Sequence, residues 1–272
     1  MPLRAEFRTV TTTDDDYVDE LERIEAESPE SPRAYWLRAR RPFSCMVFLA
    51  PLLVAHVVVS LWLGTVAPEV RDATAEGGVP GMHRMIPPAF AWAVPASIGF
   101  VLLLWNAYGQ VPWRCRADTL GGMASESVLF AWVVVGLAAA FGVTSSAASA
   151  ADGDAGVSPA IATLVHGVDA VGAGLYEETL FRLLLLPLVF TVVRACGARE
   201  RWALAIAFLA SGLAFAVGYH VGPAGETVAP LGFAFRAVAG CVFATVFWFR
   251  GYGIAAGSHA AYELIAAFVL AE

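Results

Sequence analysis

The sequence predicts an all-α polytopic membrane protein with about seven to eight transmembrane helices around a polar intramembrane cavity. Of its 272 residues, 58% are hydrophobic and only 15% are charged. Soluble domains average about 45–50% apolar and about 25% charged residues, so this chain lies outside that class. Apolar runs close to the roughly 20 residues that a helix needs to cross a bilayer recur along the chain.

The charge pattern argues against nucleic acid as a partner. The formal net charge is −7, and the chain contains no lysine and no basic patch. Membrane lipid is the expected surrounding, and the oligomeric state is left open. The four cysteines, Cys45, Cys115, Cys196 and Cys241, form no CxxC pair and are expected to be reduced, unpaired thiols.

The polar start of the chain predicts a cytoplasmic N-terminal extension, residues 1–42, ahead of a membrane-embedded domain, residues 43–272. The segment Thr13–Ile24 is typical of a capped, short amphipathic helix. Aromatic residues and arginines in Tyr35–Arg41 mark a cytoplasmic membrane edge. The first apolar run begins only at about residue 43, so no cleavable signal peptide is expected.

The membrane domain divides into apolar segments separated by polar or Gly/Pro-containing loops. The expected spans are Phe43–Gly64, Ile86–Ala107, Glu126–Ser149, one within Pro159–Val193, Trp202–Tyr219, Leu231–Phe249 and Ile254–Leu270. The positive-inside rule puts the N-terminus and the 109–125 loop inside and the 65–85 and 150–158 loops outside. We therefore expect a multi-pass protein of the cell membrane with a cytoplasmic N-terminus.

The stretch Pro159–Val193 is too long for one straight crossing. As a helix it would measure roughly 52 Å, against a hydrocarbon core of about 30 Å. It predicts one crossing by a tilted or broken helix, or a crossing plus a helical segment elsewhere; two crossings are the alternative. Gly167, Gly172, Gly174 and Pro187 are the expected break points.

Three ionisable residues, Glu177, Glu178 and Arg182, lie inside this apolar stretch. A charge at the bilayer centre costs at least about 2.5–3.5 kcal/mol, so the group needs a structural or functional reason. Glu178 and Arg182 share a helix face at i and i+4, in the order that favours an ion pair. This pair would support the helix and leave Glu177 pointing elsewhere, as a carboxylate suited to general-base work on water.

Two histidines near the C-terminus are the other candidates. His220 ends one predicted span, and His259 lies in the last span with Glu263 at i+4. Brought together with Glu177, the histidines would activate a water or hold a divalent metal such as Zn²⁺, with Glu177, His220 and His259 as ligands. A glutamate mechanism requires no cofactor, so the cofactor is left open.

Other polar residues in the predicted spans are expected to have different roles. His56 is expected to be a packing residue. Asp169 and His166 would either line the same cavity or lie near the outer surface, and the second position is favoured.

The arrangement resembles a known family. Glu177-Glu178-x-x-x-Arg182 resembles the first motif of the CAAX-protease and bacteriocin-processing family of intramembrane proteases, called Abi or CPBP. The segment ending at His220 resembles its second motif, Phe-x-x-x-His, and His259-x-x-x-Glu263 resembles its third, His-x-x-x-Asn. The resemblance covers the motif core, residues 160–270.

The resemblance implies an endopeptidase that cleaves a membrane-associated or prenylated peptide, as in removal of the last three residues of CAAX proteins. Glu177 would activate the water with His220 assisting. His259 and Glu263 would stabilise the tetrahedral intermediate, while Glu178 and Arg182 would be supporting residues. The family has been called metal-dependent, and a metal-free glutamate mechanism fits the motif equally well.

Two positions depart from the family pattern. Phe215 precedes His220 by five residues instead of four, with Ala216 at the motif position. Glu263 replaces an asparagine, and an ionised carboxylate cannot donate to an oxyanion. Glu263 would therefore be protonated, orient His259, favour a metal, or mark an inactive member of the family.

Two other function classes remain as alternatives. One is a non-catalytic membrane immunity or partner-binding protein on the same scaffold. The other is a transporter or proton relay, which also uses buried carboxylates and histidines.

The predicted depths agree only in part. Counted from the predicted cytoplasmic edges, Glu177 and His220 would lie about 26 and 28 Å deep, but His259 only about 12 Å. A common site then requires that the last helix start deep or that the others tilt strongly.

Overall fold

The computed structural model describes residues 23–24, 28, 30–66, 92–143, 159–221 and 229–268, and these form helices with no strand. The elements are α1 (Pro32–Ala39), α2 (Pro42–Val66), α3 (Ala93–Tyr108), α4 (Ala117–Ala140), α5 (Pro159–Glu178), a π-helical segment (Thr179–Leu185), α6 (Leu186–Ala195), α7 (Glu200–Gly218), α8 (Pro230–Arg250) and α9 (Tyr252–Phe268).

Four of the described helices are long and apolar enough to cross a membrane. Their spans are Pro42–Trp62, Ala117–Ala140, Glu200–Gly218 and Pro230–Arg250. The shorter apolar helix α3 covers the later part of the second predicted span, and residues 86–91 lie outside the described residues. The predicted class, an all-α polytopic membrane protein, is confirmed. The orientation of the N-terminus stays a prediction.

The predicted start of the third span, Glu126, is too late in the sequence. Helix α4 starts at Ala117, nine residues before the predicted edge at Glu126, and its described part ends at Ala140. Asp118 lies in its first turn and accepts the Thr119 amide at 2.7 Å, a favourable place for a carboxylate near a helix N-terminus. Glu126 is tolerated within the helix because it forms an ion pair with Arg250 at the end of α8.

The long apolar stretch is one continuous helical path, α5, the π segment and α6. The helix continues through Gly167, Gly172 and Gly174, so these glycines do not break it. Its irregular part directly follows Glu178, where the Leu186 amide donates to the Phe181 carbonyl in the i→i−5 pattern of a π-helix. π-helical turns occur frequently at functional sites, and here the turn contains Arg182.

Helix α9 lies at the centre of the described bundle. Residues 251–260 are all buried, and α9 packs against α2, α4, α5 and α8. The main apolar cluster joins its Ile254 to Leu49 of α2, Met123 of α4 and Leu175 of α5. This central helix carries His259 into the interior of the bundle.

The described part of the N-terminal extension packs on the same bundle. Arg38 of α1 donates to Thr119 of α4 at 3.2 Å, and Arg250 lies 5.0 Å from the Trp36 ring centroid. Most of the predicted amphipathic helix, Thr13–Ile24, lies outside the described residues.

Two minor predictions are confirmed. All four cysteines are free. The His56 ring bonds to the Val168 carbonyl at 3.1 Å and to the Tyr176 hydroxyl at 2.9 Å, which makes it a packing residue between α2 and α5.

Candidate functional site

The first feature of the site is a fully buried ion pair. Arg182 Nη1 lies 3.0 Å from Glu178 Oε1, and both side chains are inaccessible to solvent. Arg182 Nη2 also donates to the Gly240 carbonyl of α8 at 3.1 Å. The pair that the i, i+4 spacing predicted is therefore present, and it ties the π segment to α8.

Aromatic rings complete the surroundings of this guanidinium. Its carbon lies 4.7 Å from the ring centroid of Phe215, 5.5 Å from that of Phe243 and 5.8 Å from that of Phe181. Ring faces attract cations, and the attraction is larger away from water. The rings therefore help to hold Arg182 in place without competing for the Glu178 carboxylate.

His259 joins both glutamates. Its Nδ1 lies 2.8 Å from Glu178 Oε1, and its Nε2 lies 3.4 Å from Glu177 Oε2. The ring stacks on Phe243 with centroids 4.4 Å apart and an interplanar angle of 15°. Carboxylates only accept hydrogen bonds, so an imidazole that carries both protons satisfies the two glutamates together.

Glu177 is buried and held from two sides. The Tyr219 hydroxyl lies 3.0 Å from Oε1 and 3.1 Å from Oε2, and the glutamate is 1% exposed. Arg182 pairs with Glu178, while Glu177 faces Tyr219 and His259 instead. Because His259 lies between the two carboxylates, they share one site instead of separating onto different faces.

The charges of this group balance. Glu177 and Glu178 carry two formal negative charges, and Arg182 with a doubly protonated His259 carries two positive charges. Burying charges is tolerable when they are paired and hydrogen-bonded. The arrangement can thus keep an ionised carboxylate at Glu177 inside a membrane domain.

Glu263 lies at the edge of the group. Its Oε1 is 3.6 Å from His259 Nε2, beyond hydrogen-bond range, and its side chain is 26% exposed. It is therefore the most accessible of the carboxylates around His259.

His220 follows Tyr219 at the end of α7. Its ring stacks on Phe233 of α8 with centroids 5.7 Å apart and an interplanar angle of 29°. The role predicted for His220 beside Glu177 stays a prediction. The side chains of His166 and Asp169, the two further candidates on α5, lie outside the described residues.

The estimated depth of His259 is wrong. His259 lies beside Glu177 and Glu178, whereas the predicted cytoplasmic edges placed it far shallower than Glu177. The last helix begins deep in the bundle, so counting residues from the preceding loop underestimates the depth of this histidine.

The described residues do not provide an evident metal site. Among them, no group of three or more His, Cys, Asp or Glu side chains is arranged to hold a metal ion. His259 directs Nδ1 to Glu178 and Nε2 toward Glu177, so a metal at this ring would have to replace one of these contacts.

Sequence reasoning missed Tyr219 and Phe243. A tyrosine at the end of a span is usually interfacial, and Tyr219 lies 42 positions from Glu177 in the chain. Phe243 has no local signal at all, because its role depends on the way α8 packs against α9. The only available signal for Tyr219 was its spacing, four residues after Phe215.

Comparison with known proteins gives one finding. Residues 156–265 match the family model described as type II CAAX prenyl endopeptidase Rce1-like. This region contains all the residues of the candidate site and confirms the resemblance drawn from the motifs. No curated protein and no solved structure matched the chain.

Proposed function

We propose that this protein is an intramembrane endopeptidase, because residues 156–265 match the model of the Rce1-like type II CAAX prenyl endopeptidase family. In this proposal, the Glu177 carboxylate activates the attacking water. The observation that carries the proposal is the buried Glu177, which both the Tyr219 hydroxyl and His259 Nε2 face at 3.0–3.4 Å. A base held this firmly needs little reorganisation when a water approaches.

The reaction follows from the groups around Glu177. A Glu177 oxygen accepts a proton from water while the water oxygen attacks the carbonyl carbon of the scissile peptide bond. The carbonyl oxygen becomes an oxyanion, for which His259 Nε2–H is a nearby donor. The intermediate then collapses, the C–N bond breaks, and the leaving amine takes the proton from Glu177.

Glu178 and Arg182 serve the site indirectly. Glu178 accepts from His259 Nδ1 and thereby directs Nε2 toward Glu177. Arg182 compensates the charge of Glu178 and links the π segment to Gly240. They are positioning residues for the histidine.

We propose a membrane-associated or prenylated peptide as the substrate class. The family description supports a prenylated CAAX chain. The site also suits such a substrate, since its residues lie on helices that pack among the membrane spans.

The test uses purified protein in liposomes and a fluorogenic farnesylated peptide that ends in a CAAX sequence. Mass spectrometry should find loss of the three C-terminal residues. Glu177→Gln should abolish cleavage while circular dichroism shows that the variant keeps the helical content of wild type. Glu200→Gln, the same chemical change at the start of α7, should remain active; full activity of Glu177→Gln would refute the mechanism.

A non-catalytic membrane protein on the same scaffold is the second candidate. The observation that favours it is Glu263, a carboxylate at the position where the third motif has an amide. Under this alternative, Glu177→Gln leaves the cellular phenotype intact, and neither wild type nor variant releases a tripeptide.

A further inference from the structure

The Tyr219 hydroxyl contacts both oxygens of the Glu177 carboxylate. The hydroxyl lies at nearly equal distances, 3.0 and 3.1 Å, from the two carboxylate oxygens. A single O–H can donate to both oxygens only when it lies close to the plane of the carboxylate. The contact therefore fixes the rotation of the Glu177 carboxylate as well as its position.

The tyrosine is itself firmly held. It is 9% exposed, its ring meets Phe215 edge-on with centroids 5.5 Å apart, and the Arg236 guanidinium lies 4.3 Å from its ring centroid. Few alternative rotamers are available to a ring packed on two sides. The hydroxyl is thus presented to Glu177 by the fold and does not depend on the carboxylate for its placement.

The spacing on α7 gives this contact a place in the motif. The second motif is Phe-x-x-x-His, and Tyr219 stands four residues after Phe215. Phe215 lies in the site, against Arg182 and against the His259 ring at 5.7 Å. Phe215 therefore fits as the phenylalanine of the motif, and Tyr219 then occupies the position of its histidine.

We propose that Tyr219 is the residue that orients the Glu177 carboxylate for attack of water, in the place where the second motif has a histidine. This inference rests on the proposed function of Glu177. A phenol donates one hydrogen bond and does not accept a second proton at neutral pH, unlike an imidazole. The proton taken from water therefore stays on Glu177 until it passes to the leaving amine.

Kinetic constants for the farnesylated peptide test this role. Tyr219→Phe removes only the hydroxyl and should lower kcat by about 10²-fold, the loss expected when a reacting group is misplaced, with little change in KM. Tyr219→His restores a donor at the motif position and should recover at least one tenth of the wild-type kcat. Recovery of kcat in Tyr219→His would show that Tyr219 orients Glu177. If Tyr219 had only a structural role, histidine would not restore activity, because it cannot replace the packing of the tyrosine ring.

Tyr176→Phe is the matched control. Tyr176 is a buried tyrosine beside Glu177 in sequence, but its hydroxyl bonds to His56, away from the site. The control should lose a similar hydrogen bond and some thermal stability while kcat stays within about twofold of wild type.

Glu177→Gln, measured in the same assay, separates the possible failures. If Glu177→Gln is inactive and Tyr219→Phe keeps the wild-type kcat, the orienting role of Tyr219 is refuted and the proposed function stands. If His220→Ala loses activity and Tyr219→Phe does not, His220 occupies the histidine position of the motif. The orienting role of Tyr219 is then refuted, and the proposed function stands. If Glu177→Gln is fully active, both proposals fall.

A second measurement needs no substrate. Thermal unfolding of Tyr219→Phe, Glu177→Ala and the double variant forms a cycle for the contact itself, because alanine cannot accept the hydroxyl. The double variant should melt well above the temperature that the sum of the two single effects predicts. Additive losses would mean that the hydroxyl and the carboxylate do not interact, which overturns the inference even if Tyr219→Phe folds poorly.

Discussion

The Tyr252 hydroxyl lies 2.8 Å from Thr179 Oγ1, so the last helix begins beside the residue that follows the Glu177-Glu178 pair. Further along α9, His259 meets Glu177 and Glu178, and Ala260 approaches Gly174. Since the contacts occur in opposite order on the two helices, α9 runs antiparallel to α5. His259 reaches both carboxylates because α9 runs back along α5 from Thr179 to Gly174.

The closest approach of these two helices is at Gly174. A Cβ atom at this position would lie 2.6 Å from the Ala260 backbone nitrogen and 2.9 Å from the Ala260 Cα. We expect Gly174→Ala to push α9 away from α5 and to separate His259 from both glutamates. Cleavage should fall by at least about 10²-fold, because catalysis tolerates little misplacement of its groups.

A glycine on α4 provides the control for this prediction. A Cβ atom at Gly136 would meet nothing within 4 Å. Gly136→Ala should therefore keep full activity and gain slightly in stability, by up to about 1 kcal/mol from helix propensity. Equal activity in the two alanine variants would show that the α5–α9 distance is not limiting.

The buried ion pair predicts an asymmetric response to mutation. Glu178→Gln leaves the Arg182 guanidinium buried without its counter-charge and should destabilise the protein by about 3–5 kcal/mol. The double variant Glu178→Gln/Arg182→Met removes both charges and should regain part of that loss, as measured by thermal or denaturant unfolding in detergent.

The exposed pair Arg116–Asp118 is the comparison for this effect. Its side chains are each 51% exposed, so solvent screens the attraction. Arg116→Gln should leave the unfolding midpoint unchanged within error. If Glu178→Gln were equally harmless, the buried pair would contribute nothing to the stability of the fold.

The sequence predicted what depends on composition and on short spacings. The helical membrane class follows from the apolar runs, and the Glu178–Arg182 pair follows from a four-residue spacing. The Tyr219–Glu177 contact depends on the relative placement of α5 and α7, which no periodicity within either helix encodes. The same holds for His259, whose position beside the glutamates depends on the packing of α9 against α5.

The register of the second motif could be resolved only in three dimensions. In the sequence, a phenylalanine five residues before His220 looks like a departure from the pattern. In the structure, Phe215 contacts Arg182 and His259 while Tyr219 bonds to Glu177, so the four-residue spacing is satisfied by the tyrosine.

Metal removal gives a further prediction. Glu177 is oriented by Tyr219 and by His259, and neither contact requires an ion. Dialysis against a chelator should therefore leave cleavage of the farnesylated peptide unchanged. Loss of activity that Zn²⁺ restores, together with a lower metal content of Glu177→Gln than of wild type, would instead identify Glu177 as a metal ligand.

Glu263 gives the sharpest test of how this site differs from the third motif that it resembles. The carboxylate lies 3.6 Å from His259 Nε2 and, when ionised, it can only accept hydrogen bonds. Glu263→Asn introduces an amide that can donate to an oxyanion and removes a competitor of Glu177 for the histidine. We expect kcat to equal or exceed that of wild type, with up to about 10²-fold gain if the amide reaches the oxyanion.

Glu263→Ala distinguishes the loss of the competing carboxylate from the gain of an amide donor. It removes the competing carboxylate without supplying a donor, so its kcat should lie between those of wild type and Glu263→Asn. Both variants should fold, because the Glu263 side chain is 26% exposed and its only described ionic contact, with His259 Nε2, is longer than a hydrogen bond. A tenfold or larger loss of kcat in both would mean that the carboxylate itself takes part in the reaction, through orientation of His259 or transfer of a proton.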